Sequence, residues 1–149
     1  MPQKMDVLYQ LAVGLEYIHE MKLIHRDIKP ANVLIWVNPA NEQVLMKWAD
    51  FGLSKSVNER GTCSMSGVQG TFNWLAPELL KFQNDGESTS QQEQRGTIKT
   101  DVFAEGLVFG FFLLDGLHPF KSDDGISLNI LTNKPVNLPS KSIYKNFIS

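Results

Sequence analysis

Residues 23–35 read LIHRDIKPANVLI, and eighteen positions after Asn32 the chain reads Asp50-Phe51-Gly52. Between the two strings lie two short apolar, β-branched runs, Val33–Val37 and Val44–Trp48, parted by the turn-rich stretch Asn38-Pro39-Ala40-Asn41-Glu42-Gln43. That layout predicts a hairpin, and a hairpin brings the residues flanking its two strands to one end. Asn32 and Asp50 are those residues. An amide oxygen and a carboxylate are therefore expected at neighbouring strand ends, with Asp27 a few residues upstream.

Around the hairpin the signals are mainly helical. Leu8, Leu11, Ala12, Leu15 and Ile18 recur at helical spacing and predict an amphipathic helix over residues 3–21. Residues 54–70 are polar, contain glycine and have no period, which predicts a mobile loop. A short helix is expected over 75–82. The stretch 83–99, with QNDGESTSQQEQRG at its heart, has too few apolar residues to bury and is expected to be a disordered insertion. A helix capped by Thr100 or Asp101 runs to about Leu114, and apolar residues on nearly every face predict enclosure on all sides. Gly116 and Pro119 stop it. One more short helix is expected over 127–132, followed by irregular chain at Pro135 and Pro139.

Composition excludes several classes. The 149 residues and 42% hydrophobic content suit one domain with a real core. A net charge of -2 gives no electrostatic case for nucleic acid binding. The most apolar window, Gly106 to Leu114, falls well short of the roughly 20 residues that span a bilayer, and Glu105 and Asp115 bracket it. No membrane segment and no signal-peptide layout are read in the chain. Cys63 is the single cysteine, so no internal disulfide forms, in keeping with a cytoplasmic setting; an ordinary surface thiol is expected.

His25-Arg26-Asp27, four residues, then Asn32, followed in order by Asp50-Phe51-Gly52 and Ala76-Pro77-Glu78, resembles the C-terminal lobe of a eukaryotic-like protein serine/threonine kinase. The likeness runs from about Leu8 to about Leu131. The plain alternative, that Asp27, Asn32 and Asp50 only form turns, does not account for three strings falling in this order. The resemblance implies a kinase-like fold, mainly α with a small β-hairpin, representing the large lobe only. No Gly-rich phosphate loop and no Val-Ala-x-Lys strand precedes Asp27, so the N-terminal lobe is expected to be absent and residues 1–149 to be a partial kinase domain.

The same resemblance implies ATP and Mg²⁺ as cofactors and a protein as substrate. Asp27 would accept the substrate hydroxyl proton, and Lys29 would contact the transferred phosphate. Asn32 and Asp50 would hold Mg²⁺, Leu34 would floor the adenine, and Thr71 would bridge the base and the lysine. His25, Phe51 and Asp101 are implied to be structural, the first two stacked in an apolar column and the third bonded to the catalytic-loop backbone. Arg26 beside Asp27 implies control by phosphorylation of the loop that follows, with Thr62, Ser64 and Ser66 as candidates. Glu78 normally pairs with a distant Arg; with Arg26, Arg60 and Arg95 the only arginines, it is expected to be unpaired.

Three details resemble, more narrowly, the inositol-requiring kinase/endoribonucleases that sense unfolded proteins. These are Gly70-Thr71-Phe72-Asn73-Trp74-Leu75-Ala76-Pro77-Glu78, with Trp74 where most kinases carry Tyr, the long hairpin, and the segments Gly116-Leu117-His118-Pro119-Phe120 and Asn129-Ile130-Leu131. That family implies a homodimeric parent at the endoplasmic reticulum membrane, with this domain facing the cytosol. Two functions follow: a catalytic-lobe fragment of an enzyme moving the ATP γ-phosphate to Ser/Thr hydroxyls, or a truncated, catalytically inert interaction module. The isolated chain is expected to be inactive without an N-terminal lobe.

Overall fold

Helix α1, Lys4–Glu20, buries Val7, Leu8, Leu11, Leu15 and Ile18 along one stripe, as its periodicity predicts. The structure, a computed structural model, describes residues 3–64, 70–84, 95–123 and 125–138. The Asp6 carboxylate accepts the Gln3 N–H at 3.2 Å, placing an acceptor and a negative charge at the positive end of α1. Lys22, at φ 59°, reverses the chain into β1, Leu23–Ile24.

Strands β2, Val33–Val37, and β3, Val44–Trp48, form the predicted antiparallel hairpin, with Val33 opposite Trp48 and Val37 opposite Val44. Trp48 locks it to α1: its indole N–H donates to the Leu11 carbonyl at 2.9 Å, and its ring edge lies against Gly14. A Cβ at Gly14 would stand 3.4 Å from that ring. The fold class is as expected in outline, with four helices among the described residues. Sheet content is greater than one hairpin.

Strand β4, Lys55–Ser56, pairs with β1, and β5, Thr62–Ser64, pairs with β6, Arg95–Thr97. Part of the stretch expected as a loop over 54–70 is therefore hydrogen-bonded strand. The expected insertion over 83–99 is likewise regular at both described ends, since α2 spans Pro77–Asn84 and β6 leads directly into α3. Residues 85–94 lie outside the described residues. Cys63, opposite Gly96 in the β5–β6 pair, is only 7% exposed, so the expected surface thiol is a buried one.

Helix α3, Ile98–Leu113, joins two apolar clusters. Ala104 and Val108 pack with the α1 stripe, Ile28 and Trp48, whereas Leu107 packs with Leu75, Leu79, Leu80, Phe120 and Ile130. Burying side chains such as Leu15 or Leu80 contributes about 1.5–3 kcal/mol each, so this two-sided helix anchors both halves. Helix α4, Ile126–Leu131, closes the second cluster. Among the described residues no helix is long and apolar enough to cross a membrane.

The expectation that α3 is enclosed on all sides needs correction. Val102 is 52% exposed and Leu113 46% exposed, while the charged Asp101 and Glu105 point inward. Exposed apolar surface is ordinary in folded proteins. Buried charge is the informative feature, and it leads to the functional site.

Candidate active site

Pro30–Asn32 forms a single 3-10 turn, with the Asn32 N–H returning to the Lys29 carbonyl at 3.0 Å. This compact turn gathers side chains that lie close in sequence. Asn32 Nδ2 donates to the Asp27 carbonyl at 2.8 Å and to Asp27 Oδ2 at 3.0 Å. Lys29 Nζ lies 2.8 Å from the same carboxylate oxygen. From the far side of the site, Thr71 Oγ1 donates to Asp27 Oδ1 at 2.8 Å and accepts from Lys29 Nζ at 2.7 Å. Asp27, Lys29, Asn32 and Thr71 thus make one closed polar group.

The carboxyl of Asp27 feels two opposed effects. Burial, the largest, favours its neutral form, but hydrogen bonds from Lys29, Thr71 and Asn32, with the Lys29 charge, together outweigh it and hold the group below its ordinary 3.8. It is an anion at neutral pH. Such an anion orients a hydroxyl donor well and is a weak proton acceptor.

Gly70 makes the Thr71 contact possible. At φ +119° it occupies backbone space that other residues avoid, and a Cβ there would come 2.7 Å from the Arg26 carbonyl. The segment carrying Thr71 therefore approaches the segment carrying Arg26 and Asp27 backbone to backbone.

Asp50 reaches the same end of the hairpin through its neighbour. The Ala49 N–H donates to the Asn32 carbonyl at 2.9 Å, and Asp50 follows at φ 62°. Its Oδ1 accepts the Gly52 N–H at 3.2 Å, and the side chain is otherwise open to solvent. Asn32 is buried with its Nδ2 committed to Asp27, so its amide oxygen is the atom it can offer to a metal. Two hard oxygen donors, one of them on the exposed Asp50, fit Mg²⁺, which takes one or two protein oxygens and completes its shell with water and phosphate. Among the described residues no three His, Cys, Asp or Glu side chains form a metal cage. The donor set fits a hard, partly hydrated ion.

Asp101 supports the turn from beneath. It is 2% exposed and accepts the His25 N–H at 2.7 Å, the Arg26 N–H at 2.9 Å and His19 Nε2 at 2.9 Å. Arg26 sits at φ 70°, a conformation costing roughly 1–2 kcal/mol for a side chain with a Cβ, and the Asp101 contact holds it there. His25 is fully buried; its Nε2–H donates to the Ala49 carbonyl at 2.9 Å and its Nδ1 accepts the Asp27 N–H at 3.3 Å. Only the neutral ring satisfies both. Phe51 tilts onto that ring at 4.9 Å, so the two expected column residues do touch.

The remaining candidates are placed less closely. Leu34 is 60% exposed on β2. Glu78 is exposed at the start of α2 with no ion-pair partner among the described residues, so water solvates it and no burial cost arises. The Thr62 hydroxyl donates to Asn58 Oδ1 at 3.0 Å within the turn before β5. Ser64 ends β5, and Ser66 lies outside the described residues.

Two groups beneath the site were not singled out from sequence as site residues, His19 and Glu105. A visible signal existed, because Asp101 and Glu105 stand four apart, hence on one face, in an otherwise apolar helix. Glu105 is 9% exposed, and its Oε1 has no hydrogen-bond partner among the described residues. Burial pushes its carboxyl from 4.5 up to about 7, with the His19 charge opposing and the Asp101 charge adding to the rise. The folded chain therefore binds this proton more tightly than the unfolded chain does. That contribution to stability is complete below about 4.5 and is lost as pH rises through about 7. Glu105→Gln is expected to remove a pH-dependent component on the order of 2–3 kcal/mol. Urea unfolding at pH 5 and pH 8 checks it: the change in stability from pH 5 to pH 8 should be less unfavourable in the variant than in the wild type by about that amount.

Comparison with known proteins shows the family. The family described as protein kinase domain matches residues 2–146. The human serine/threonine-protein kinase/endoribonuclease IRE2 is 38% identical over 132 residues, covering 87% of this chain and 13% of that protein. The Schizosaccharomyces pombe sensor for unfolded proteins in the ER, ire1, is 34% identical over 140 residues, covering 85% of this chain and 13% of its own length. Sporulation-specific protein 1 of Saccharomyces cerevisiae is 33% identical over 135 residues, covering 91% of this chain and 24% of its own. The chain thus spans a quarter or less of the length of these relatives. It belongs to the protein kinase domain family, with kinase/endoribonucleases of the unfolded-protein sensor type among its relatives.

Proposed function

We propose that this chain is the large, C-terminal lobe of a serine/threonine protein kinase, which in a complete domain transfers the γ-phosphate of ATP to Ser or Thr hydroxyls. The observation that carries the reading is the closed group of Asp27, Lys29, Asn32 and Thr71, with Asp50 at the adjoining hairpin end. Phosphoryl transfer needs a positioned hydroxyl and neutralised phosphate charge more than covalent chemistry. Asp27 orients the hydroxyl and takes its proton, Lys29 faces the transferred phosphate, and the oxygens of Asn32 and Asp50 would hold Mg²⁺. Bound there, that ion would supply positive charge that offsets the phosphates. Leu34, exposed and apolar, supports the adenine, and His25 with Phe51 continues the apolar packing beside it.

Arg26 carries a regulatory role in the same reading. Its Nε is buried with no acceptor among the described residues, and a phosphate on the following loop, at Thr62, Ser64 or Ser66, would supply one. The sensor-type relatives support a place in unfolded-protein signalling at the endoplasmic reticulum, with this domain in the cytosol.

Residues 1–149 hold no Gly-rich phosphate loop and no Val-Ala-x-Lys strand, so the chain alone is expected to transfer no measurable phosphate. Joined to the small lobe of a sensor-type kinase, it is expected to phosphorylate a generic protein substrate on Ser and Thr and not on Tyr. Phosphoamino acid analysis with labelled ATP checks both arms. Transfer by the chain alone, or none by the joined domain, contradicts the reading.

A further inference from the structure

His118 repeats, on the opposite side of the site, the device seen at His25. Its Nε2–H donates to the Asn73 carbonyl at 3.0 Å, and its Nδ1 accepts the Phe120 N–H at 3.1 Å. Only a neutral imidazole makes both bonds, because protonation would set an Nδ1–H against the Phe120 N–H. The ring is 5% exposed and meets Trp74 edge-on at 4.8 Å, and Trp74 in turn meets Phe111 of α3 at 5.7 Å.

The loop bearing His118 is firmly mounted. Asn137 Nδ2 donates to the His118 carbonyl at 2.9 Å, and Asn129 Nδ2 of α4 donates to the Phe120 carbonyl at 2.9 Å. Pro119 lies so close to α3 that a Cβ at Gly110 would come 2.4 Å from its ring. On the other side, Asn73 belongs to the 3-10 turn Phe72–Trp74, closed by the Trp74 N–H on the Thr71 carbonyl at 2.9 Å. A continuous path therefore runs from α3 and α4 through His118 to Thr71, and from Thr71 to Asp27.

We propose that His118 is a positioning residue for phosphoryl transfer: its neutral ring clamps the substrate-side segment 71–75 to the loop after α3 and so keeps the Thr71 hydroxyl on Asp27. The catalytic half of this inference rests on the kinase reading above; the clamp itself does not. A consequence is sensitivity to acid. Burial lowers the basicity of the ring below its ordinary 6.5, and the Asn73 carbonyl works against that shift. Among the described residues no ionisable side chain is hydrogen-bonded to it, and the charged residues nearest along the chain, Asp115 and Lys121, are exposed. The neutral clamp therefore holds at neutral pH and opens as pH falls through the depressed value.

The test uses the 149-residue chain and needs no activity. Amide NMR from pH 8 to pH 4 is expected to show Thr71 and Trp74 shifting with the same midpoint as the His118 ring. In His118→Gln, whose side-chain N–H still reaches Asn73 and cannot titrate, that step should vanish while the pH 8 positions persist. In His118→Phe, which keeps the packing and loses both bonds, both amides should sit near their acid positions at pH 8. Thr71 and Trp74 amides indifferent to His118 titration, or unchanged in His118→Phe, overturn the clamp. Should His118→Phe fail to fold, the wild-type and His118→Gln profiles decide alone. In the domain completed with a small lobe, His118→Phe should lower kcat about tenfold with little change in KM for ATP, and His118→Gln should restore most of it. No transfer by the completed wild-type domain counts against the kinase reading and leaves the amide result to decide the clamp.

Discussion

Alanine in place of Asp101 is expected to cost the chain about 3–5 kcal/mol of stability, read as a fall in the urea midpoint at unchanged slope. Asp101 is nearly inaccessible and gathers three donors: the consecutive backbone N–H groups of His25 and Arg26 and the ring of His19. Removing its carboxylate leaves the His25 N–H buried and unpaired, the expensive case for a hydrogen bond, and takes the acceptor from the part-buried Arg26 N–H. Arg26 also loses the contact that holds its left-handed backbone. A conservative Asp101→Asn offers little relief, since its amide N–H₂ must face one of the same donors. A loss under about 1 kcal/mol, the range of ordinary surface changes, would mean the turn is held by something else.

In the domain completed with a small lobe, Asp27→Asn is expected to lower kcat by about 10²–10⁴-fold, the contribution usual for a positioned acid–base group, with KM for ATP little changed. Asparagine preserves the volume, so packing is not the variable. Charge and acceptor capacity are. Asp27 meets three side-chain donors, Lys29, Thr71 and Asn32, and an amide group at that position turns two hydrogens toward them. The Thr71 hydroxyl then loses the anion that fixes it, and the substrate hydroxyl loses its acceptor. A variant within threefold of wild type would remove Asp27 from the chemistry.

How much of this was legible in the sequence depended on how local the signal was. The hairpin Val33–Val37 with Val44–Trp48 was readable with its boundaries, because β-branched runs flank a turn-rich stretch of six residues. The stripe of α1 was equally plain. Strands β1, β4, β5 and β6 were not, since two or three residues are too few to show a period of two, and β5 finds its partner some thirty positions away. The burial of Cys63 follows from that distant pairing and leaves no local trace.

The site divides the same way. Asp27, Lys29, Asn32, Asp50 and Thr71 were nameable because their motifs carry fixed spacing. Their convergence depends on Gly70 and Ala49, whose roles appear only once backbones meet. Helix α3 misled, because a nearly all-apolar sequence suggests burial on all sides, whereas its two inward carboxyls mark the face that matters. His19, Glu105 and His118 act through neighbours from distant segments, and no window of sequence holds those neighbours together.

The most direct test of the central claim, that Asn32 and Asp50 share one metal–nucleotide site beside Asp27, is paramagnetic broadening of amide signals by Mn²⁺ in the presence of ATP. The amides of Asn32, Val33 and residues 49–52 should broaden together as nucleotide is added, and Asp50→Asn should abolish the effect at both strand ends. Broadening confined to one strand end, or spread over the exposed carboxylates of α1 with none at the hairpin, would contradict it.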